Sequence, residues 1–158
     1  MKLLVLDLDG TLWDHKDASR LVPPLKVVGN KVIDAYGEEL SLFPGVREFL
    51  EWAKDRFLLS VASWNLEEFV RPILEALKLW DYFIFPKIEG HPDKANMIER
   101  TISELKAAGY KVDEVIYVDD RIIHVNGVVS AIPNLKFIHM WTDVKSFEEL
   151  RKLLDRMG

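Results

Sequence analysis

The chain has 158 residues, 49% hydrophobic and 30% charged, with a formal net charge of −5 and no cysteine. This size and composition suit one globular domain with a real core. The acidic balance offers no basic face to a nucleic acid, and the lack of cysteine excludes disulfides, thiolate zinc sites and a cysteine nucleophile.

At the N-terminus Lys2 precedes only four apolar residues before Asp7, too few for a signal peptide, and no later run approaches membrane-spanning length. A cytoplasmic location without membrane contact is therefore expected. The apolar run Leu3–Leu6 reads as a buried strand over 2–6, ending in Asp7-Leu8-Asp9-Gly10-Thr11. Residues i and i+2 of an extended chain point to one side. Asp7 and Asp9 thus share the C-terminal lip of the strand, where open α/β sheets bind ligands. Two carboxylates that close repel unless a cation lies between them, and Mg²⁺ suits hard oxygen ligands. Residues 13–43 then interrupt the strand–helix alternation. Gly29-Asn30 between β-branched residues is a hairpin signal, and the excursion is expected to form a small β-hairpin flap over the acidic lip.

Pro44 can start a helix over 45–55. A strand over 57–62 ends at Ser63, whose hydroxyl, with the amides leading into the next helix, can hold a phosphate oxygen. Asn65 with Glu68 is a capping pair for that helix, which Pro72 would kink or split. A short strand is expected over 82–85. Pro92 opens a helix reaching about Ala108 and stopped by Gly109. Lys94 lies in its first turn, against the helix dipole, and competes with Lys87 as the cation nearest the strand ends. A strand over 113–118 runs into Asp119-Asp120, a second acidic lip that would complete a Mg²⁺ site with Asp7 and Asp9. A strand over 135–140 and a helix capped by Ser146 and Glu149 close the chain. The alternation implies right-handed βαβ units: an α/β, Rossmann-like three-layer sandwich around a mainly parallel five-stranded sheet. His15, His91, His124 and His139 lack the spacing of a zinc site. Five tryptophans are many for this length; Trp13 and Trp64 follow the polar motifs and are candidates to line a substrate mouth or a homodimer contact.

The series Asp7-Leu8-Asp9-Gly10-Thr11, Ser63, Lys94 and Asp119-Asp120 resembles the haloacid dehalogenase superfamily. Trp13, Pro23-Pro24, Phe43-Pro44-Gly45-Val46 and Val118-Asp119-Asp120 make the chain similar to its small-cap magnesium-dependent phosphatases. The resemblance spans essentially the whole chain. It implies one phosphatase domain over 1–158 with a minimal cap at about 13–43, acting on a phosphorylated small molecule or phosphoprotein. Asp7 would be the nucleophile that forms an aspartyl-phosphate, and Asp9 the general acid and then base. Ser63 would hold a phosphoryl oxygen and Lys94 offset charge beside Asp7. Asp119, with Asp120 directly or through water, would hold Mg²⁺ alongside Asp7 and the Asp9 carbonyl. The chain departs from the family twice. Trp64-Asn65 stand where Arg-Thr is common, and Arg121 and His124 stand where Glu and Asn are usual. Trp64 and Asn65 thus become candidate substrate-binding residues beside Ser63 and Lys94, with Trp64 offering a flat apolar face to an aromatic or sugar ring. An open site would admit a phosphotyrosyl side chain or a sugar phosphate alike. A phosphorylated receiver switch and a carrier-protein-loading phosphotransferase relative are the alternatives. A receiver places its acid pair early, whereas here it comes late, and such transferases are usually much longer.

Overall fold

The computed structural model describes residues 1–157. Its elements in chain order are β1 (Lys2–Leu6), β2 (Trp13–Asp14), β3 (Lys26–Val28), β4 (Lys31–Ile33), β5 (Glu39–Leu42), α1 (Val46–Ala53), β6 (Leu58–Trp64), α2 (Glu67–Ala76), β7 (Lys87–Glu89), α3 (Lys94–Ala107), β8 (Glu114–Asp119), α4 (Val125–Ala131), β9 (Leu135–His139) and α5 (Phe147–Met157). Five strands form one parallel sheet in the order β7-β6-β1-β8-β9. The chain winds outward from β1 to β7, then returns through α3 to lay β8 on the other side of β1. The winding reverses between β1 and β8, and the crevice outside the carboxyl ends of strands at such a point is where this architecture binds ligands. The sheet thus brings the Asp7 and Asp119 motifs to one edge.

Period-two alternation divides the core between the two faces of the sheet. Leu4, Leu6, Leu59, Val61, Ile116 and Val118 pack with Phe49 and Leu50 of α1 and Phe147 and Leu150 of α5. Leu3, Val5, Leu58, Ala62, Val115 and Tyr117 pack with Met97, Ile98 and Leu105 of α3 and Val128 of α4. Each fully buried large apolar side chain contributes roughly 1.5–3 kcal/mol. A one-residue slip would exchange the two sets, so the register that carries the acids to the edge is strongly specified.

The excursion is larger than a hairpin. It holds a four-stranded sheet in the order β2-β5-β4-β3, in which Gly29 (φ 61°) turns β3 into β4. Trp13, Leu21, Val32 and Leu40 root it in the main core. The hairpin is not what overhangs the acids. Arg47 of α1 donates from Nε to Asn30 Oδ1 at 2.7 Å, and the part that reaches the cleft is Asp14 to Asp17 with Ser19.

Other expectations are corrected. No strand occupies 82–85: residues 80–82 form a 3₁₀ turn, Phe85 takes φ 47°, Pro86 has no N–H to donate, and the edge strand begins only at Lys87. Pro72 lies inside α2 without splitting it. Asn65 does not cap that helix: the cap position is Leu66, with no side-chain bond. At α1 the cap is Gly45 (φ 85°), so Pro44 precedes the helix instead of opening it. The sequence does not signal helix α4, because Gly127 and the β-branched Val125, Val128 and Val129 are weak helix formers; packing of Val128 into the core supplies what propensity does not. The final helix does begin as expected, with the Glu149 amide donating to Ser146 Oγ at 3.1 Å.

Candidate active site

One ammonium group lies among the acids. Lys94 Nζ donates to Asp7 Oδ1 at 2.9 Å, to Asp119 Oδ2 at 3.3 Å and to the Ala62 carbonyl at 2.7 Å. Lys94 and Asp119 are each 1% exposed. Lys87 is elsewhere, paired with Glu104 at 2.7 Å. Carboxylate oxygens of Asp7, Asp119 and Asp120 all lie within 4.8 Å of one another. Thr11 joins the two motifs: its hydroxyl lies 3.2 Å from Asp7 Oδ2 and 3.1 Å from Asp120 Oδ1, and it accepts from the Asp120 amide at 3.1 Å. Gly10 (φ 76°) is required here, because a Cβ would come 2.5 Å from Asp120 Oδ2.

The electrostatics follow from this crowding. Burial, reinforced by Asp119 and Asp120 and opposed by Lys94, pushes the Asp7 carboxyl up to about 8. Burial and the charge of Asp119 raise Asp120 as well. Burial also acts on Asp119, but Lys94, the Tyr117 hydroxyl and the Arg121 amide outweigh it and hold that carboxyl below the usual range. One cation against three close carboxylates is an incomplete balance, and an all-oxygen donor set of this kind suits Mg²⁺. Asp7, Asp119 and Asp120 are therefore the residues that fit a divalent cation.

A cleft of about 740 Å³ opens over Asp7, with Asp9, Ser63, Trp64, Asn65 and Arg121 among its lining and residues 14–17 and 19 as one wall. Lys94 and Asp119 lie beneath its floor. Ser63, 2% exposed, makes no side-chain hydrogen bond among the described residues, so its hydroxyl is available. Trp64 is 46% exposed on the rim, its ring 6.4 Å from that of His124 and roughly perpendicular to it. Asn65 is turned inward. Its Nδ2 donates to Asp9 Oδ2 at 2.9 Å and Asp17 Oδ1 at 3.3 Å, and its Oδ1 accepts from the Leu66 amide at 2.7 Å. Asp9 also receives Trp13 Nε1 at 2.8 Å and the Ala18 amide at 3.0 Å, both on Oδ1. Burial raises the Asp9 carboxyl in spite of these donors.

Sequence reasoning missed three supporting side chains. The Tyr117 hydroxyl donates to Asp119 Oδ2; the i, i+2 rule that paired Asp7 with Asp9 could have paired these two as well. His139 Nε2 donates to the Asp120 carbonyl at 2.9 Å, a contact set by the β8–β9 register that places His139 beside Asp119. Trp141 Nε1 donates to the Gly10 carbonyl at 2.8 Å from a backbone held at φ 72°. Nothing in the sequence signals that conformation, which is costly for a bulky residue. His124 caps α4 by position only, and its Nε2 is buried without a partner among the described residues.

A family model described as acid phosphatase matches residues 1–139. No curated protein matches the sequence. Among solved structures, a HAD-superfamily hydrolase from Ehrlichia chaffeensis aligns with TM-score 0.68 and 14% identity over 98% of this chain and 96% of its own. A HAD-superfamily hydrolase of subfamily IA, variant 1, from Geobacter sulfurreducens aligns with TM-score 0.65 and 16% identity over 99% of both chains. The N-terminal part of a Bacteroides fragilis protein, containing a phosphatase domain and complexed with Mg, aligns with TM-score 0.60 and 20% identity over 96% of this chain. This chain spans 39% of that one. These likenesses establish the fold. None of the described helices is long and apolar enough to cross a membrane.

Proposed function

The chain belongs to the acid phosphatase family and is a phosphatase, and we propose that it hydrolyses phosphate monoesters with Mg²⁺ through an aspartyl-phosphate on Asp7. The observation that carries this reading is the convergence of Asp7, Asp119 and Asp120 within 4.8 Å at the switch point of the sheet, with Lys94 between two of them.

In the first step an Asp7 oxygen attacks phosphorus, the bond from phosphorus to the ester oxygen breaks, and Asp9 gives that oxygen a proton. In the second, Asp9 takes a proton from water, the resulting oxygen attacks phosphorus, and the bond from phosphorus to Asp7 breaks. Phosphate leaves and Asp9 is again protonated. The covalent route divides one difficult displacement into two easier ones, and a single carboxyl able to give and then take a proton serves both. Burial favours the protonated form of Asp9 that the first step needs. Ser63 would hold a phosphoryl oxygen. Lys94 would offset negative charge from beneath Asp7, since phosphoryl transfer is mostly positioning and neutralisation. Mg²⁺ held by Asp7, Asp119 and Asp120 would supply further neutralisation of the phosphoryl oxygens.

The open cleft suits a phosphotyrosyl side chain or a sugar phosphate, and the exposure of Trp64 on its rim supports a reading in which the indole stacks on a substrate ring. Turnover of para-nitrophenyl phosphate should stop in EDTA and return with Mg²⁺. Full activity in chelator would remove the metal from the mechanism, and single turnover without recycling would favour a phosphorylated switch.

A further inference from the structure

The sequence marks Asn65 as a candidate to bind substrate, yet both protons of its amide are committed within the protein. Both Nδ2 protons face carboxylates, which can only accept, and Oδ1 faces a backbone N–H. The orientation of the amide is thus dictated by its neighbours. The bonds close a ring. Asn65 holds Asp9 Oδ2 and Asp17 Oδ1; Asp17 accepts from the Ser19 amide to cap the 18–20 turn; and the Ala18 amide of that turn holds Asp9 Oδ1 at 3.0 Å. The loop after β6 and the excursion after β1 are therefore locked together through Asp9.

An ionised carboxylate has about four acceptor sites. Oδ1 of Asp9 is filled by Trp13 and Ala18, whereas Oδ2 has Asn65 alone. The open site on Oδ2 is the place for the transferable proton. We propose that Asn65 is a positioning residue that aims Asp9 Oδ2 at the leaving-group oxygen, and that it ties this aim to the 17–20 segment of the cleft wall. It never touches substrate. The inference rests on the acid–base role proposed above for Asp9.

The test uses two aryl phosphates that differ in how much they need a proton. Para-nitrophenyl phosphate has a good leaving group and phenyl phosphate a poor one. Comparing kcat/KM reports the step in which the ester bond breaks. In Asn65→Ala, kcat/KM for phenyl phosphate should fall about tenfold further than for para-nitrophenyl phosphate, part of the roughly hundred- to ten-thousandfold that acid catalysis supplies, with little change in KM. Asn65→Asp keeps the shape but presents an oxygen to Asp9 and Asp17, and its loss on phenyl phosphate should be the greater of the two. Equal losses on both substrates, or a rise in KM alone, in whichever variant retains the wild-type circular-dichroism spectrum would overturn the positioning role. Equal losses with a lowered thermal midpoint would overturn it in favour of a purely structural one. An inactive wild type in Mg²⁺ would instead sink the phosphatase chemistry on Asp7 and Asp9.

Discussion

Replacing the Asp7 carboxyl with an amide should stabilise the metal-free protein while abolishing turnover. Asp7 is 4% exposed and its carboxyl is pushed up to about 8 by burial and by Asp119 and Asp120, even with Lys94 beside it. In the unfolded chain it titrates at roughly 4. At pH 7 the group must take up a proton on folding, which costs on the order of 4 kcal/mol at ~1.4 kcal/mol per pH unit. Asn has the shape of the protonated acid and avoids that cost. Lys94 keeps the Ala62 carbonyl at 2.7 Å and Asp119 at 3.3 Å. In EDTA at pH 7, Asp7→Asn should therefore gain about 2–4 kcal/mol, a rise of roughly 5–12 °C in the thermal midpoint for a chain of this size. Because the folded value is raised, the cost is absent near pH 4, grows as pH rises, and levels off above pH 8. The gap between the two proteins should follow that course. Saturating Mg²⁺ should close the gap, since the metal stabilises only the form that binds it. A lower midpoint for Asp7→Asn in EDTA at pH 7, or a gap that does not change between pH 5 and 8, would refute the reasoning.

Trp64→Ala should raise KM about fivefold for aryl phosphates and less for small aliphatic ones, corresponding to one aromatic contact of about 1 kcal/mol. Its thermal midpoint should barely move, because the ring is 46% exposed; a uniform kinetic loss with a lowered midpoint would place the indole in a packing role. Trp141→Phe keeps an aromatic ring between Phe43 and Phe147 but loses the N–H to the Gly10 carbonyl. Gly10 directly follows Asp9, whose carbonyl would help hold Mg²⁺, so loosening it should weaken Mg²⁺ binding about tenfold by calorimetry, as for other groups that orient a ligand without touching the metal, and unchanged affinity would show that the loop after β1 needs no such hold.

The sheet was legible because its physics is local. Buried parallel strands read as apolar runs, and the runs at 2–6, 57–62 and 113–118 send side chains into the core on both faces of the sheet. The edge strand was misplaced because Phe83, Ile84 and Phe85 look like a strand, while the left-handed turn at Phe85 and the missing N–H of Pro86 delay pairing until Lys87. Helix α4 was invisible for the opposite reason: its residues disfavour a helix locally, and only packing against β9 and α3 makes one. The size of the excursion was hidden because β2 and β5 pair across more than twenty residues, a separation that no local pattern reports.

The same division runs through the site. Each acid stands at a strand end, and strand ends of a parallel sheet share an edge, so the convergence of Asp7 with Asp119 and Asp120 needed only the alternation of strands and helices. What the alternation cannot supply is the direction of a polar side chain that has several partners in reach. Asn65 before an acidic helix start looks like a cap, because short polar side chains usually satisfy nearby amides. It turns away because two carboxylates, Asp9 from the β1 loop and Asp17 from the excursion, come within its reach only after the excursion has folded back. Trp141 is the more extreme case. Its indole reaches the Gly10 carbonyl from the far end of the chain, across 131 positions, through a backbone conformation its own residue type disfavours. Residues that perform a reaction can be read from strand geometry and charge, whereas residues that hold them in place depend on where distant segments of the chain meet.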